Sequence, residues 1–350
     1  MIPPSMEIRT LRPGEREALL ELLDGWELPD GWRGRDFFRR DLEQDPTFDD
    51  ENVLVAAEGG ALLSCVQIFP RRLRVAGSAV PAGGIGSVFT ARAARRRGIA
   101  EAVFERTMET MRARGLLVGI LFGDESIYAR QGWRSWGVPA GLLLREAGAG
   151  EPPAPPGLAV APFERERDFA GVRALHERYS ELLPGSVVRD DGLWEASLRN
   201  AGNPDEEFLV ARARGELVAY VRAALLHGVL ALTEFAAEPG FEPALAVLVA
   251  RIMTPREADP WERAGRPTAE LRRLAVTARL RAAPDLAAAL APAKIRPREA
   301  GDTSTMLSCL DPAALAAQLG ERLRPGEGPN DFLARMLPPE DLTFWLADRF

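Results

Sequence analysis

The segment from Gly86 to Ala100 constrains the fold of this 350-residue chain more than any other. An apolar stretch that predicts a strand ends at Thr90, an arginine-rich turn closes on Gly98, and an amphipathic helix begins at Ile99. The first amides of a helix have no partner within it, and the positive end of the helix dipole lies at the same place. This strand, turn and helix therefore predict a site for a phosphate or pyrophosphate.

The helix after the turn and the segment that follows it complete a recognisable unit. Apolar residues recur at three- and four-residue spacing along the helix and form one stripe: Ile99, Val103, Phe104, Met108 and Met111. Gly115 is suited to end the helix, and residues 116–122 form a short apolar run typical of a buried strand. The predicted order is strand, anion-binding turn, helix and strand.

The arginines of the turn allow three interpretations. Arg92, Arg95, Arg96 and Arg97 could form a solvated turn, a nucleic-acid patch or part of a phosphate site. The formal net charge of −7 and the absence of interleaved aromatic residues argue against nucleic acid as a partner. The small residue Gly98, which lets phosphates approach the main chain closely, favours the phosphate interpretation.

Two motifs in this region resemble those of a known superfamily. Arg95-Arg96-Arg97-Gly98-Ile99-Ala100 resembles the Arg/Gln-x-x-Gly-x-Gly/Ala signature of the GNAT acyl-CoA-dependent N-acetyltransferases. After the next strand, residues 126–133 resemble the late motif of the family, in which a tyrosine on a short helix precedes a Gly-aromatic pair. Within the superfamily the chain is most similar to the Eis-like (enhanced intracellular survival) acetyltransferases, which carry two fused GNAT-like units and a C-terminal segment.

The resemblance implies an α/β (α+β) fold with tandem GNAT-like mixed β-sheets flanked by helices, plus a short C-terminal α/β segment. Hydrophobic patterns agree with a repeated order of elements in both halves. In the first half we predict strands over 6–10, 53–57, 61–69 and 72–80 and a helix over 13–23; in the second, strands over 158–162, 208–213, 217–225 and 230–236 and helices over 164–182 and 241–253.

Three domains are predicted from these patterns. Residues 1–147 form the catalytic GNAT domain that binds acetyl-CoA, and a proline-rich linker over 148–157 follows. Residues 157–296 form a degenerate GNAT-like domain, because the turn at 236–241 lacks arginine and carries Glu238, which would repel phosphate. Residues 297–350 resemble a truncated sterol-carrier-like domain.

Other classes of protein are disfavoured by composition. Cys65, Cys309, His176 and His227 do not form a disulfide framework or a metal-spaced cluster, so no metal is expected. The N-terminus shows no signal pattern, and no apolar run approaches the ~20 residues that span a bilayer. We expect a cytoplasmic protein without a membrane or nucleic-acid partner, and the resemblance implies a homo-oligomer.

The resemblance assigns roles to individual residues. Acetyl-CoA is the implied co-substrate, and Tyr128 is the implied general acid that protonates the departing sulfur; the alternative is that Tyr128 only packs under the helix. The backbone of Val88, Phe89 and Thr90 would pair with the pantetheine arm. The turn residues would hold the pyrophosphate: Arg95, Arg96, Arg97, Gly98, Ile99 and Ala100.

The general base and the acceptor are less constrained by the residues. In Eis-like enzymes the C-terminal carboxylate enters the active site. In this chain the resemblance therefore implies the α-carboxylate of Phe350 as the general base. The alternative is that the C-terminus is frayed and has no catalytic role. The acidic loop after the first helix borders the acceptor cleft in this family. The resemblance therefore implies four acceptor-binding residues: Asp24, Trp26, Glu27 and Trp32. The alternative is that this loop is a plain solvated surface.

The implied activity is transfer of an acetyl group to a primary amine of a cationic small molecule or peptide, such as an aminoglycoside or polyamine. A non-catalytic acyl-CoA-binding regulator and a transferase of longer acyl groups remain alternatives.

Overall fold

Two mixed β-sheets flanked by helices make up the protein, as predicted. The computed structural model describes residues 6–27, 33–200, 206–226, 229–255, 270, 272–277 and 285–348. Each sheet has seven strands, and each contains one parallel pair among antiparallel neighbours. The predicted α/β class is therefore confirmed.

The first sheet has the strand order β1-β2-β3-β4-β5-β14-β6. Its strands are Met6–Thr10 (β1), Val53–Glu58 (β2), Ala61–Val75 (β3), Ser78–Thr90 (β4), Val118–Phe122 (β5), Arg134–Ser135 (β6) and Thr305–Cys309 (β14). The strand predicted over 72–80 is wrong, because the chain reverses at Ala76 and Gly77, both at positive φ. A two-residue loop of this kind matches the twist of a hairpin, so it separates β3 from β4.

Helices cover both faces of the first sheet. Their bounds are Arg16–Leu23 (α1), Gly34–Gln44 (α2), Ile99–Ala113 (α3) and Glu125–Tyr128 (α4). The apolar stripe of α3 packs with Ile85 and Leu121 on one face. Leu19, Leu23 and Phe38 of α1 and α2 pack with Phe89 on the opposite face. The predicted amphipathic helix therefore buries its apolar side as expected.

The second sheet has the order β13-β7-β12-β11-β10-β9-β8. Its strands are Val138–Arg145 (β7), Leu158–Pro162 (β8), Glu207–Ala213 (β9), Glu216–Leu226 (β10), Val229–Ala237 (β11), Leu274–Thr277 (β12) and Ile295–Asp302 (β13). The remaining helices are Arg165–Glu181 (α5), Asp191–Asn200 (α6), Glu242–Ile252 (α7), Leu286–Leu290 (α8), Pro312–Leu319 (α9) and Pro329–Met336 (α10). The predicted hairpins β2–β3 and β9–β10 are both present.

The sheets cut across the predicted domain boundaries at 147 and 297. Strand β7 precedes the linker yet lies in the second sheet, between β12 and β13. Strand β14 comes from the predicted C-terminal segment yet pairs with β5 and β6 of the first sheet. Burial explains the exchange, because Met306 and Leu307 of β14 complete the core against β5. The segment 297–350 is thus built into both sheets.

Main-chain bonds and the C-terminal helices join the two halves. Arg74 at the end of β3 donates its amide to Ser186 at 3.0 Å, and Val188 donates to Arg72 at 2.8 Å. The indole of Trp136 donates to the carbonyl of Leu337 at 2.9 Å, which docks the C-terminal helices on the first sheet. The two sheets therefore share one continuous set of contacts.

Candidate active site

A free strand edge lies at the centre of the first sheet. β4 pairs in parallel with β5 only from Ala82 to Ile85, although β4 continues to Thr90. Beyond Ile85 the two strands separate, so the main chain of residues 86–90 has no partner on its β5 side among the residues that the structure describes. Such an edge can pair with an extended, amide-bearing ligand as an added strand would. Val88, Phe89 and Thr90 lie on it, where the sequence predicted the pantetheine contacts.

A β-bulge reorients this part of β4. Ser87 has φ +49°, and the register against β3 shifts between Cys65 and Gln67, so β4 carries one extra residue there. A bulge bends a strand and exchanges the faces to which the following side chains point. Val88 consequently packs towards α3, and Phe89 packs towards α1.

The arginine-rich turn presents a row of free amides at the start of α3. Arg96 has φ +63° and Gly98 has φ +74°, and Gly98 is the N-cap of α3. The main-chain N–H groups of residues 96–101 have no hydrogen-bond partner among the residues that the structure describes. A Cβ at Gly98 would meet nothing within 4 Å, so open space lies beside this glycine. Successive free amides at a helix N-terminus are a site for phosphate oxygens.

The predicted arginines differ in their surroundings. Arg97 pairs with Glu58 at 3.0 Å, and Arg95 donates from Nε to the carbonyl of Thr90 at 3.1 Å. Arg96 is exposed and makes no ion pair with any described residue. Arg96 therefore has the guanidinium best able to turn towards a phosphate without first breaking a contact.

Tyr128 lies on the α3 side of the strand divergence. Asp124 caps α4 by accepting the amide of Ser126 at 2.8 Å, and this short helix carries Tyr128 onto Phe104, with ring centroids 5.2 Å apart. A Cβ at Gly123 would lie 2.7 Å from the tyrosine ring, so the end of β5 requires glycine there. Among described residues the hydroxyl has no hydrogen-bond partner. Burial raises the pKa of Tyr128 above its ordinary value of 10.0, which keeps the hydroxyl protonated at neutral pH.

The opposite face of the divergence carries a buried amide that the sequence reasoning missed. Gln67 on β3 is 1% exposed and accepts a hydrogen bond from the hydroxyl of Ser87 at 3.2 Å, while its Nε2 has no partner among the described residues. An unpaired buried amide is costly, so this group is a candidate for contact with a ligand. The signal in the sequence was a glutamine within the apolar run over 65–69.

The predicted acceptor residues are only partly brought together. Asp24 pairs with Arg33 and accepts the amide of Arg35 at 3.3 Å, so it helps to begin α2. Trp26 stacks on Phe89 with ring centroids 5.7 Å apart, so it supports the end of β4. Glu27 is exposed and pairs with Arg92. Trp32 and Phe350 lie outside the described residues.

Comparisons with known proteins agree with this geometry. Residues 7–135 match the family described as acetyltransferase (GNAT) domain. This segment therefore resembles a GNAT domain, and the match covers less than half of the chain. The chain is 29% identical over 153 residues, 41% of its length, to an uncharacterised N-acetyltransferase of Streptomyces avermitilis, and the match spans 35% of that relative's length.

Solved structures resemble the whole described fold. A conserved protein of unknown function from Enterococcus faecalis V583 has a TM-score of 0.63 at 13% identity, over 87% of this chain and 73% of that one. Eis1 from Mycobacterium abscessus has a TM-score of 0.58 at 20% identity, over 89% of this chain and 76% of that one. At these identities the likeness concerns the fold alone, over 87–89% of the chain.

A groove lies within the matched segment 7–135, where α1 meets the end of β4. Its volume is about 820 Å³, and its polar lining is mainly acidic: Glu21, Asp24, Glu27 and Arg92, next to Phe89. Among the described residues no group of three or more His, Cys, Asp or Glu is placed to hold a metal ion. No helix in the described ranges is both long and apolar enough to cross a membrane.

Proposed function

We propose that this protein is an acetyl-CoA-dependent N-acetyltransferase that acetylates a primary amine of a cationic small molecule or peptide. The observation that carries the proposal is the row of unpartnered amides over residues 96–101, placed directly beyond the free edge of β4. A diphosphate on that row and an extended pantetheine on that edge are the two parts of coenzyme A that a protein main chain recognises best.

In this proposal the cofactor is held largely by backbone. The amides of Arg96, Gly98, Ile99 and Ala100 bind the pyrophosphate, and the unpaired guanidinium of Arg96 adds a charge-assisted hydrogen bond. Arg95 and Arg97 stay on Thr90 and Glu58 and shape the turn. The main chain of Val88, Phe89 and Thr90 pairs with pantetheine, and one of its amides polarises the thioester oxygen.

The chemistry follows from the two faces of the cleft. The nitrogen of a neutral amine attacks the thioester carbon, the C–S bond breaks, and the sulfur leaves with the bonding electron pair. Tyr128, on the α3 face, donates its hydroxyl proton to that sulfur, and its raised pKa suits a group that must be protonated before transfer. The tyrosinate is reprotonated from solvent.

The acceptor is proposed to arrive from the opposite face. Side chains alternate along β5, so Leu121 faces Tyr128 whereas Phe122 faces away from α3, on the side to which Phe89 also points. Gln67, whose buried Nε2 has no partner among the described residues, is proposed to contact the acceptor on that side. The acidic groove beside Phe89 favours cationic amines, and the carboxylate of Phe350 is the proposed base that removes the proton of the attacking amine.

The organisation we propose is Eis-like: a catalytic GNAT domain, a degenerate GNAT-like second unit, and a shortened C-terminal segment that contributes strands to both. The topological repeat and the likeness to Eis1 support it. A homo-oligomer is proposed on the same ground.

The test is an acceptor screen with acetyl-CoA that reads product mass and free thiol together. We expect a mass increase of one acetyl group on a polyamine, aminoglycoside or lysine peptide. Acetyl-CoA bound without turnover on the full panel would overturn transfer and leave the regulatory alternative. A preference for longer acyl-CoA donors would change the proposed donor while keeping the site.

A further inference from the structure

Three polar side chains of β3 contact the bulged part of β4. Ser64, Cys65 and Gln67 are each no more than 1% exposed, and each is hydrogen-bonded to β4 close to the shift in register. A bulge disrupts the ladder of main-chain hydrogen bonds, and buried polar side chains can supply partners that the ladder no longer provides. We call these three side chains the β3 clamp.

The β3 clamp holds two carbonyls and one hydroxyl of β4. The thiol of Cys65 donates to the carbonyl of Ser87 at 3.2 Å, and the hydroxyl of Ser64 donates to the carbonyl of Phe89 at 2.9 Å. Gln67 accepts the hydroxyl of Ser87 at 3.2 Å. Ser87 has φ +49°, which is uncommon for a residue other than glycine, so these contacts stabilise a conformation that the residue by itself disfavours.

Burial keeps the side chain of Cys65 a hydrogen-bond donor. It raises the pKa of the Cys65 thiol to about 12, so the thiol stays protonated at neutral pH. A protonated thiol can donate to a carbonyl oxygen, whereas a thiolate can only accept. The contact between Cys65 and the Ser87 carbonyl is therefore not affected by titration of the thiol near neutral pH.

The two carbonyls held by the β3 clamp fix the direction of the amides that follow them. The peptide bonds of the described residues are trans, and in a trans peptide the C=O and the N–H point in opposite directions. A Ser87 carbonyl held towards β3 therefore turns the N–H of Val88 towards the free edge of β4. The carbonyl of Phe89 turns the N–H of Thr90 in the same way.

These two amides lie at different depths of the proposed cofactor site. The turn with free amides follows Thr90, whereas the pairing of β4 with β5 ends at Ile85, on the other side of Val88. Coenzyme A with its diphosphate on the turn would place pantetheine beside Thr90 and the thioester deeper, beside Val88. The amide of Val88 is then the donor closest to the thioester oxygen, where developing charge needs a fixed hydrogen bond.

We propose that the β3 clamp holds the free edge of β4 in the orientation that acyl transfer requires, with Cys65 as the positioning residue for the amide of Val88 and Ser64 as that for the amide of Thr90. Loss of the Cys65 contact lets the peptide between Ser87 and Val88 rotate, which weakens polarisation of the thioester. Loss of the Ser64 contact weakens pantetheine binding instead. This inference rests on the proposed function, because it concerns the same cofactor site.

The test compares Cys65→Ala with Cys65→Ser in the full chain, because serine restores a donor that alanine lacks. Ser64→Ala tests the second contact. Cys309→Ala is the matched control, since Cys309 is a buried cysteine of the same sheet that pairs with Val118, at the far end of β5. Cys65→Val, which lacks a donor but largely keeps the side-chain volume, replaces Cys65→Ala if that variant does not fold.

Three measurements separate the two positioning roles. Calorimetric titration gives the affinity for acetyl-CoA, and steady-state kinetics give kcat for an amine. Infrared difference spectra of bound acetyl-CoA, labelled with ¹³C at the thioester carbon, report how strongly the protein polarises the carbonyl. A merely structural role of Cys65 would not shift this carbonyl band.

Cys65→Ala is expected to lower kcat about 10-fold and to reduce the shift of the carbonyl band, while Cys65→Ser restores both. Its affinity for acetyl-CoA should stay within about 2-fold of the wild type, whereas Ser64→Ala should weaken acetyl-CoA about 5-fold. The same kcat and band position in Cys65→Ala and Cys309→Ala, or no recovery in Cys65→Ser, would overturn the role of Cys65. Unchanged affinity of Ser64→Ala would overturn that of Ser64.

Failure of the proposed function gives a different result. A wild-type protein that binds acetyl-CoA with a shifted carbonyl band but acetylates no amine would refute acetyl transfer, and the band of the variants would still decide the role of Cys65. A wild-type protein that binds no acetyl-CoA would refute the cofactor site and the β3 clamp together.

Discussion

Both sheets contain one parallel pair, but the turns that follow β4 and β11 differ. In the first sheet, β4 leads into a turn with free amides over residues 96–101 and open space beside Gly98. In the second, the turn after β11 carries Glu238, which pairs with Arg178, and Trp345 packs on Phe235 of β11. The same order of strand, turn and helix thus carries free amides in one unit and an acidic side chain in the other.

The largest expected effect is on stability and belongs to the buried ion pairs of Arg189 beside β11. Arg189→Met leaves Glu234 and Asp348 without their shared partner in the core, and removing one member of a buried ion pair costs about 3–5 kcal/mol. Arg96→Met, in the turn before α3, should change the free energy of unfolding by no more than about 0.5 kcal/mol. Urea unfolding of both variants measures this difference in the free energy of unfolding. Equal losses of stability in the two variants would contradict the prediction.

The next effect is on cofactor binding. Gly98→Glu should weaken acetyl-CoA at least ~100-fold, because its carboxylate would enter the open space beside residue 98 and repel the diphosphate. Gly240→Glu is the control, since Gly240 has φ +84° and equally open surroundings in the second unit. Calorimetric titration should show that Gly240→Glu binds acetyl-CoA with wild-type affinity. If Gly98→Glu also bound acetyl-CoA with wild-type affinity, the pyrophosphate site would not lie at this turn.

A smaller effect is expected on turnover. Tyr128→Phe should lower kcat about 100-fold without changing acetyl-CoA affinity, because only the proton donor is removed. Burial raises the pKa of Tyr128 above 10.0, and an acid acts in its protonated form, so its contribution should persist up to pH 10 and be lost only at higher pH. A kcat profile of both proteins from pH 6 to 10.5 is the measurement. Near-normal turnover of the variant would leave Tyr128 a packing residue.

The smallest effect concerns the acidic loop. Glu27→Gln should raise KM for a cationic amine by about 2- to 3-fold, since exposed charges contribute little in water. Glu109→Gln on α3 also removes a carboxylate from an exposed ion pair, and it should leave KM unchanged. Identical KM values for the two variants would remove Glu27 from acceptor binding.

Local patterns predicted the elements but not their partners. The β4–α3 unit and the hairpins β2–β3 and β9–β10 are formed by residues close in sequence, so spacing and turn residues were enough. The apolar pattern of β14 indicates burial without specifying which sheet buries it. β14 joins the first sheet because β5 offers an edge for pairing and a core that buries the apolar side chains of β14. The domain boundaries failed to match the sheets for this reason.

The candidate site divides in the same way. The turn over 95–100 and Tyr128 could be predicted as site residues because each motif that carries the resemblance consists of contiguous residues. Gln67 became a candidate only when the bulge at Ser87 placed it beside the cleft with a free Nε2. Arg189, Glu234 and Asp348 are far apart in sequence, and no spacing rule brings such residues together.

By itself, the sequence determined the strand, the left-handed glycine and the helix that create free amides, because backbone preferences act over a few neighbouring residues. The tertiary structure alone decided that the C-terminal segment packs against β11 of the second sheet. That packing depends on burying Trp345 and on pairing Asp348 with Arg189, and both require distant segments to meet in one core.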